Sequence, residues 1–231
     1  MNILIVESAA KTRTIQKYLG SDWRVLATGG HEETLPHDRE KHGEDAGKAY
    51  WSNRPGELPT PPWVWTDRGE NAVREILEAG GTNPSFWIAT DPDREGEFIA
   101  WCLERLLKPH GPTCRVTFQE ITKDAVSAAI EQPRQLDLRM VDSALIRKFV
   151  DRLVGYRTSK TAAGVVGRGA SMGRVQTPTL GFVVDREVER KSFVPTSYFE
   201  VRATAEGVKL KVRFHQSGDP QVWRDATGKI D

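Results

Sequence analysis

Residues 85–97 read SFWIATDPDREGE, and this stretch decides the fold. Ser85 to Thr90 is a short apolar, β-prone run, and it is followed without a spacer by Asp91, Asp93, Glu95 and Glu97. From Phe98 through Leu107 the apolar residues change to helical spacing until Pro109 stops them. A strand that runs into a polar turn and then a helix is half of a βαβ unit. At the carboxyl end of a parallel strand, residues i and i+2 project to the same side, so Asp91 and Asp93 can converge while Glu95 enters the turn. Carboxylates this dense repel one another unless a cation lies among them, and oxygen-only ligands in an open loop suit magnesium. The other reading is an acidic first helical turn stabilised by the macrodipole. The stretch alone leaves both open.

Outward from this point, the first 135 residues repeat the alternation. Strands are expected at Asn2 to Val6, Trp23 to Ala27, Ser85 to Thr90 and Arg115 to Phe118, with a helix over Ala9 to Leu19 closed by Gly20. Asp67 and Glu70 have capping-box spacing before a helix through Val73, Ile76 and Leu77 that Gly80 ends, and Thr122 is placed to cap another that Pro133 ends. The pattern predicts an α/β fold with a mostly parallel, Rossmann-like sheet flanked by helices. Residues 36–62, with five prolines, read as a long loop, functional or mobile.

After Pro133 the chain turns helical. Leu138, Val141, Leu145, Phe149 and Leu153 share one face, with Arg147, Lys148 and Arg152 off that line and Gly155 expected to close the helix. A further helix is expected over Arg174 to Lys191, and then YFEVRATA and VKLKVRF alternate with period two, as a short β hairpin does. The expected divisions are 1–134, 135–196 and 197–231, the last being the start of an incomplete strand-rich domain, since two strands alone are marginal.

Composition narrows the function. The 231 residues carry net charge +1 with mean hydropathy −0.50. That near-neutrality conceals a net −6 over residues 1–137, +6 over 138–191 and +1 over 192–231. An acidic block before a basic one suits a carboxylate cation site beside an anion-binding surface, or else uneven solvated faces. No apolar run approaches membrane-spanning length, and without an export signal a cytoplasmic protein is expected. Cys102 and Cys114 stand alone, so neither a disulfide framework nor a cysteine zinc site is expected. His31, His37 and His42 share no helix face, which argues against zinc. Trp87 and Trp101 are expected in the core, leaving Trp51, Trp63 and Trp65 near the loop as candidates for base stacking.

At the end of the first strand stands Glu7, followed by Ser8 and, a helical turn on, Lys11: a proton donor beside a phosphate clamp, or an ordinary strand-to-helix turn. Parallel strands would bring Glu7 and Asp91 to one sheet edge. With ILIVESAAKTRTIQKYLG, GGHEETLP, IATDPDREGEFIAW, VTFQEITKDAV, DRLVGYRTS and ASMGRVQTPTLGFVVDREVE in this order, followed by FVPTSYFEV, the sequence resembles type IA DNA topoisomerases and their Toprim domain. The LVGY and GRVQTPTL segments resemble topoisomerases alone. Departures are Ala9 for a usual proline, Glu32 where an apolar residue is common, and Met172 before Gly173.

The resemblance implies ATP-independent, magnesium-dependent cleavage, passage and religation of one strand, relaxing negatively supercoiled DNA. It implies Glu7 as general acid/base and metal-proximal carboxylate, with Asp91, Asp93 and Glu95 on Mg2+. Lys11 and Arg115 would face the scissile phosphate, and Arg147, Lys148, Arg152, Ser171, Arg174 and Gln176 would line a single-stranded DNA groove. The family's nucleophilic tyrosine sits in a threonine-tyrosine-x-arginine-threonine setting that is missing here. Tyr18, Tyr50, Tyr156 and Tyr198 each have another reading, so the chain is expected to lack the nucleophile and to need a C-terminal part of the same enzyme. A Toprim-type magnesium nuclease and a non-catalytic single-stranded DNA-binding module are the alternatives.

Overall fold

Ile3, Leu4, Ile5 and Val6 are all fully buried, because β1 (Asn2–Val6) is the second strand of a four-stranded sheet covered on both faces. The computed structural model describes residues 1–51, 59–195 and 202–211. In chain order, α1 (Ala9–Leu19) and β2 (Trp23–Ala27) follow β1. A small antiparallel pair, β3 (Glu33–Thr34) and β4 (Val64–Trp65), flanks α2 (Arg39–His42) and a single 3-10 turn at Gly43–Gly47. Next come α3 (Gly69–Gly80), β5 (Ser85–Ala89), α4 (Arg94–Leu107), β6 (Thr113–Arg115) and α5 (Lys123–Glu131). The long α6 (Leu138–Val165), α7 (Gln176–Ser192) and the hairpin β7 (Arg202–Ala205) and β8 (Val208–Lys211) complete the described chain.

The large sheet has order β2-β1-β5-β6, with every pair parallel. Alternation along β1 divides the core. Ile3 and Ile5 join Val73, Ile76, Ile99 and Leu103 beneath α3 and α4, whereas Leu4 and Val6 join Ile15 and Val126 beneath α1 and α5. The expected α/β class, parallel sheet and terminal hairpin are therefore present.

Several boundaries differ from the sequence expectation. Gly155 does not close α6, which runs on to Val165; a mid-helix glycine costs about 1 kcal/mol, and the turns around it outweigh that. The cap of α3 comes from Thr66, whose hydroxyl accepts from Gly69 N–H at 2.9 Å, not from Asp67. β6 lies two residues earlier than expected, and Val116 continues its pairing through a bond to the Ile88 carbonyl. The described part of the proline-rich segment is packed: Leu35 and Trp51 are buried against Phe149 of α6, and Asp38 caps α2. Pro55 and the rest of 52–58, Tyr198, and the chain beyond 211 lie outside the described residues.

Met1–Thr177 forms one compact unit and Pro178–Asp231 a second. The division at 134/135 expected from the change in character is not a break in packing, because Ala144 and Leu145 of α6 meet Phe98, Cys102 and Trp101 of α4.

The polar centre of the first unit is Glu97, fully buried at the inner face of α4. One of its oxygens, Oε1, accepts from Arg115 Nε at 3.0 Å and Nη2 at 2.6 Å and from Arg134 Nη2; the other accepts from Asp137 N–H at 2.9 Å. Burial alone would raise its pKa, but the Asp137 amide and the two guanidinium groups hold it below the usual carboxylate range. Glu97→Gln should cost about 3–5 kcal/mol, because it leaves the Arg115 charge buried without its counterion. The penalty should shrink on acidification, since a depressed carboxyl stabilises the fold above its unfolded pKa and loses that contribution as pH falls through its folded value. Urea unfolding of both proteins at neutral and acid pH checks this.

Candidate active site

The parallel register sets Val6 beside Ala89, so β1 and β5 end together and deliver Glu7 and the Asp91 turn to one sheet edge. Two close approaches shape that turn. A Cβ on Gly96 would collide with the Asp91 carbonyl, so only glycine fits there, and the Thr90 hydroxyl donates to the Gly96 carbonyl at 2.7 Å. Asp93 caps α4, its Oδ1 accepting from Gly96 N–H at 2.7 Å. The acidic-helix-start reading of this stretch is thus true of Asp93, and Glu95 lies in the same first turn.

Burial first, and then the charges of Asp91 and Asp93, raise the Glu7 pKa against the opposing pull of Lys11. The four carboxylates Glu7, Asp91, Asp93 and Glu95 are therefore neighbours in one field, and Asp91, Asp93 and Glu95 each have a partner in the protein itself. Lys11 Nζ lies 2.5 Å from Asp91 Oδ1. Glu95 Oε1 is shared by His31 Nε2 and, at 3.3 Å, by Lys148 Nζ. Burial and the Lys148 charge hold His31 below its ordinary pKa. Beside Lys11, Asp91 and Asp93, a cleft of about 400 Å³ is walled by Phe118, Gln119 and Ile121.

Among the described residues, no three His, Cys, Asp or Glu side chains are arranged as a ready-made metal shell. The donor chemistry nonetheless suits magnesium: oxygen donors only, an open cleft, and mutual repulsion that already raises Glu7. The ion pairs with Lys11, Lys148 and His31 occupy these oxygens instead.

Two basic residues expected at the DNA do other work. Arg115 is buried and all five of its N–H donors are used: three bonds go to Glu97 and the Val116 carbonyl, one to the Ile88 carbonyl at 3.1 Å and one to the Asp91 carbonyl at 3.2 Å. It cannot face a phosphate, and instead fixes the backbone of the acidic turn. Arg152 is buried as well, donating to the carbonyls of Pro36, Lys48 and Ala46 and stacking on Tyr156, so it anchors the 36–51 segment and lines no groove. A helical wheel places a charge off the apolar face, but it cannot see a distant loop folding over that charge.

Of the other residues expected at a groove, Lys148 pairs with Glu95, and the rest lie near one another. Arg147 and Arg174 converge on Asp151 at 3.7 and 2.7 Å, and Gln176 donates to Ser171 at 3.3 Å, all on or beside α6 and exposed or half-buried. His37 and His42 belong to the capping of α2, where His42 Nδ1 accepts from Asp38 N–H. Trp51 and Trp63 pack in the core, while Trp65 is exposed. Tyr18 donates to the Ile121 carbonyl, and Tyr50 and Tyr156 lie against Arg157 and Arg152. Sequence reasoning missed Glu97, Arg134 and the role of His31. The available signal was that Glu97 falls one helical turn after Asp93, on the side of α4 that carries Phe98 and Trp101.

Glu32, the departure at the β3 edge, is buried, and neither oxygen makes a well-formed hydrogen bond, with only the Thr28 hydroxyl and its own amide as weak polar partners. Burial pushes its pKa up to about 8, with the Glu7 charge adding to the rise. A carboxyl raised in the folded state favours folding at low pH and loses that advantage as pH climbs from the unfolded value to the folded one. Glu32→Leu should therefore stabilise the protein, by about 1–3 kcal/mol near pH 8 and by less near pH 5. Denaturant midpoints at the two pH values measure it.

Comparison with known proteins agrees with this geometry. A family model of the Toprim domain matches residues 2–121, and one described as DNA topoisomerase matches residues 135–228. The fold is similar to that of full-length topoisomerase I from Thermotoga maritima, with a TM-score of 0.69 and 30% identity over 97% of this chain. This chain spans 36% of that protein's length. With both matches in this order, and with the paired acidic strand ends of β1 and β5 inside the Toprim match, the chain belongs to the type IA DNA topoisomerases, corresponding to their N-terminal region.

Proposed function

We propose that this chain supplies the magnesium-binding and phosphate-handling part of a type IA topoisomerase active site, together with part of a single-stranded DNA groove. The observation that carries this reading is the convergence of Glu7 with Asp91, Asp93 and Glu95 at the joined ends of β1 and β5, with Lys11 beside them at a cleft. In this reading a tyrosine oxygen attacks a phosphodiester phosphorus and the bond to the 3′-oxygen breaks. Glu7, its pKa raised by burial and by its acidic neighbours, would give a proton to that oxygen; religation runs the transfer backwards, with Glu7 accepting the proton from the 3′-hydroxyl. Lys11 offsets charge on the phosphate. Asp91, Asp93 and Glu95 would hold magnesium, which supplies further charge neutralisation when bound. Arg115 acts one step removed, by holding the Asp91 carbonyl. Arg147, Arg174, Ser171 and Gln176 form the exposed basic and polar strip on which a strand would lie. The nucleophilic tyrosine is none of the four here, so relaxation of negatively supercoiled DNA requires a further part of the enzyme. Cytoplasmic location follows from this role; no described helix is long and apolar enough to cross a membrane.

Asp91→Asn with Asp93→Asn should abolish magnesium binding by titration calorimetry while leaving the circular dichroism spectrum unchanged; retained affinity sinks the metal assignment. The protein should also bind a single strand more tightly than a blunt duplex of equal length, with affinity falling steeply as salt rises. Incubation with supercoiled plasmid and magnesium, followed by SDS, separates the reaction classes. No covalent adduct and no relaxation is expected from this chain alone. Nicked product without an adduct would point to a nuclease, and an adduct on Tyr18, Tyr50, Tyr156 or Tyr198 would make the chain self-sufficient.

A further inference from the structure

Glu95 is a carboxylate of the Toprim-matched region, yet one of the cations that neutralises it comes from α6, in the region matched by the topoisomerase model. Lys148 Nζ lies 3.3 Å from Glu95 Oε1 and sits over the Phe98 ring at 4.5 Å. The amine is thus half-withdrawn from water and held by two features of α4, one ionic and one aromatic. The next residue toward the helix start, Arg147, belongs to the exposed basic strip with Arg174. A lysine has three donors on a flexible four-carbon stem, so a change of partner from an acidic turn to a neighbouring phosphate needs no backbone movement.

The second partner of Glu95 does not compete in the same way. His31 Nε2 contacts the same oxygen, Glu95 Oε1, but the ring is part-buried with its edge against Phe98, and it lies on the loop before β3, away from the basic strip. Lys11 does carry charge, but it lies on α1 and pairs within the Toprim-matched region. Among the described residues, Lys148 alone joins the acidic site to the basic strip.

We propose that Lys148 is a built-in competitor for the acidic site: it neutralises Glu95 in the metal-free protein and passes to a DNA phosphate when magnesium takes its place, so that metal and DNA each strengthen the binding of the other through this one side chain. The proposal rests on the magnesium reading above. Two cations competing for one carboxylate make removal of the tethered one favourable to the free one. The same exchange makes the linkage reciprocal: if magnesium raises DNA affinity, DNA raises magnesium affinity by the same factor.

Lys148→Met tests this, because it keeps the apolar stem over Phe98 and deletes the charge. Magnesium alone is titrated into the full chain by calorimetry, and a short oligothymidylate is bound with and without magnesium by fluorescence anisotropy. The variant should bind magnesium about fivefold more tightly than the unsubstituted protein. The unsubstituted protein should gain about fivefold in oligonucleotide affinity when magnesium is added, and Lys148→Met should gain nothing. Lys148→Arg, which retains the charge, should keep the gain. Magnesium binding to Lys148→Met no tighter than to the unsubstituted chain, or a magnesium-dependent gain that survives in that variant, overturns the proposal. Should Lys148→Met fail to fold, Glu95→Gln reads the same exchange from the other side: with its partner neutralised, Lys148 is already free, and oligonucleotide affinity without magnesium should equal the magnesium-saturated value. An affinity no higher than that of the unsubstituted protein again overturns the exchange. A chain that binds no magnesium in any form overturns the metal reading beneath it, an outcome distinct from the others.

Discussion

One buried carboxylate holds the first unit together. Glu97 ties α4 to β6 through Arg115, to the following segment through Arg134, and to the start of α6 through the Asp137 amide. Its principal partner, Arg115, spends its remaining donors on the carbonyls of Ile88, Asp91 and Val116. The strand end, the acidic turn and the entry to α6 are therefore referred to a single ion cluster in a low-dielectric interior. Breaking such a cluster is costly, because any one partner left behind is a buried charge. The carboxylates at the sheet edge can be held close despite their repulsion because the backbone beneath them is held this firmly.

That repulsion is the second theme. Glu7, Asp91, Asp93 and Glu95 are brought together by the meeting of two parallel strands, and the chain offsets their charge locally with Lys11 and Lys148 and with the N-terminus of α4. Balance is incomplete at Glu7, whose pKa is raised by burial first and by its acidic neighbours second, the direction a proton donor needs. Glu32, buried behind β3, adds a further acid to which the fold gives no well-formed hydrogen bond. It is a local violation of the rule that buried polar groups are paired, at a position where an apolar side chain would serve packing better.

The two basic residues that changed role share one cause. Arg115 and Arg152 look like phosphate ligands when only residue type and spacing are considered, but Arg115 is held by Glu97 and three backbone carbonyls, and Arg152 by carbonyls of the distant 36–48 segment. Arginine suits this structural use because its planar fork can satisfy several carbonyls at once. Arg147, Arg174, Ser171 and Gln176, by contrast, lie close to one another along α6 and the turn into α7.

Periodicity and punctuation determined the elements of this protein. β1, β2 and α1 end where the apolar runs and Gly20 say they should, and the clustered carboxylates after β5 marked the chemical edge before any geometry was known. These signals are local, arising from side-chain alternation, capping and the φ freedom of glycine, so a linear reading can recover them. Tertiary structure alone decided which charge meets which. That Glu97 faces inward while Glu95 faces Lys148, that Arg115 supports Asp91 from beneath, and that α6 runs past Gly155 and packs on α4 all depend on burial and partners supplied across the fold. Coulomb energy and desolvation depend on distance and surroundings in space, and neither is written in the order of the residues.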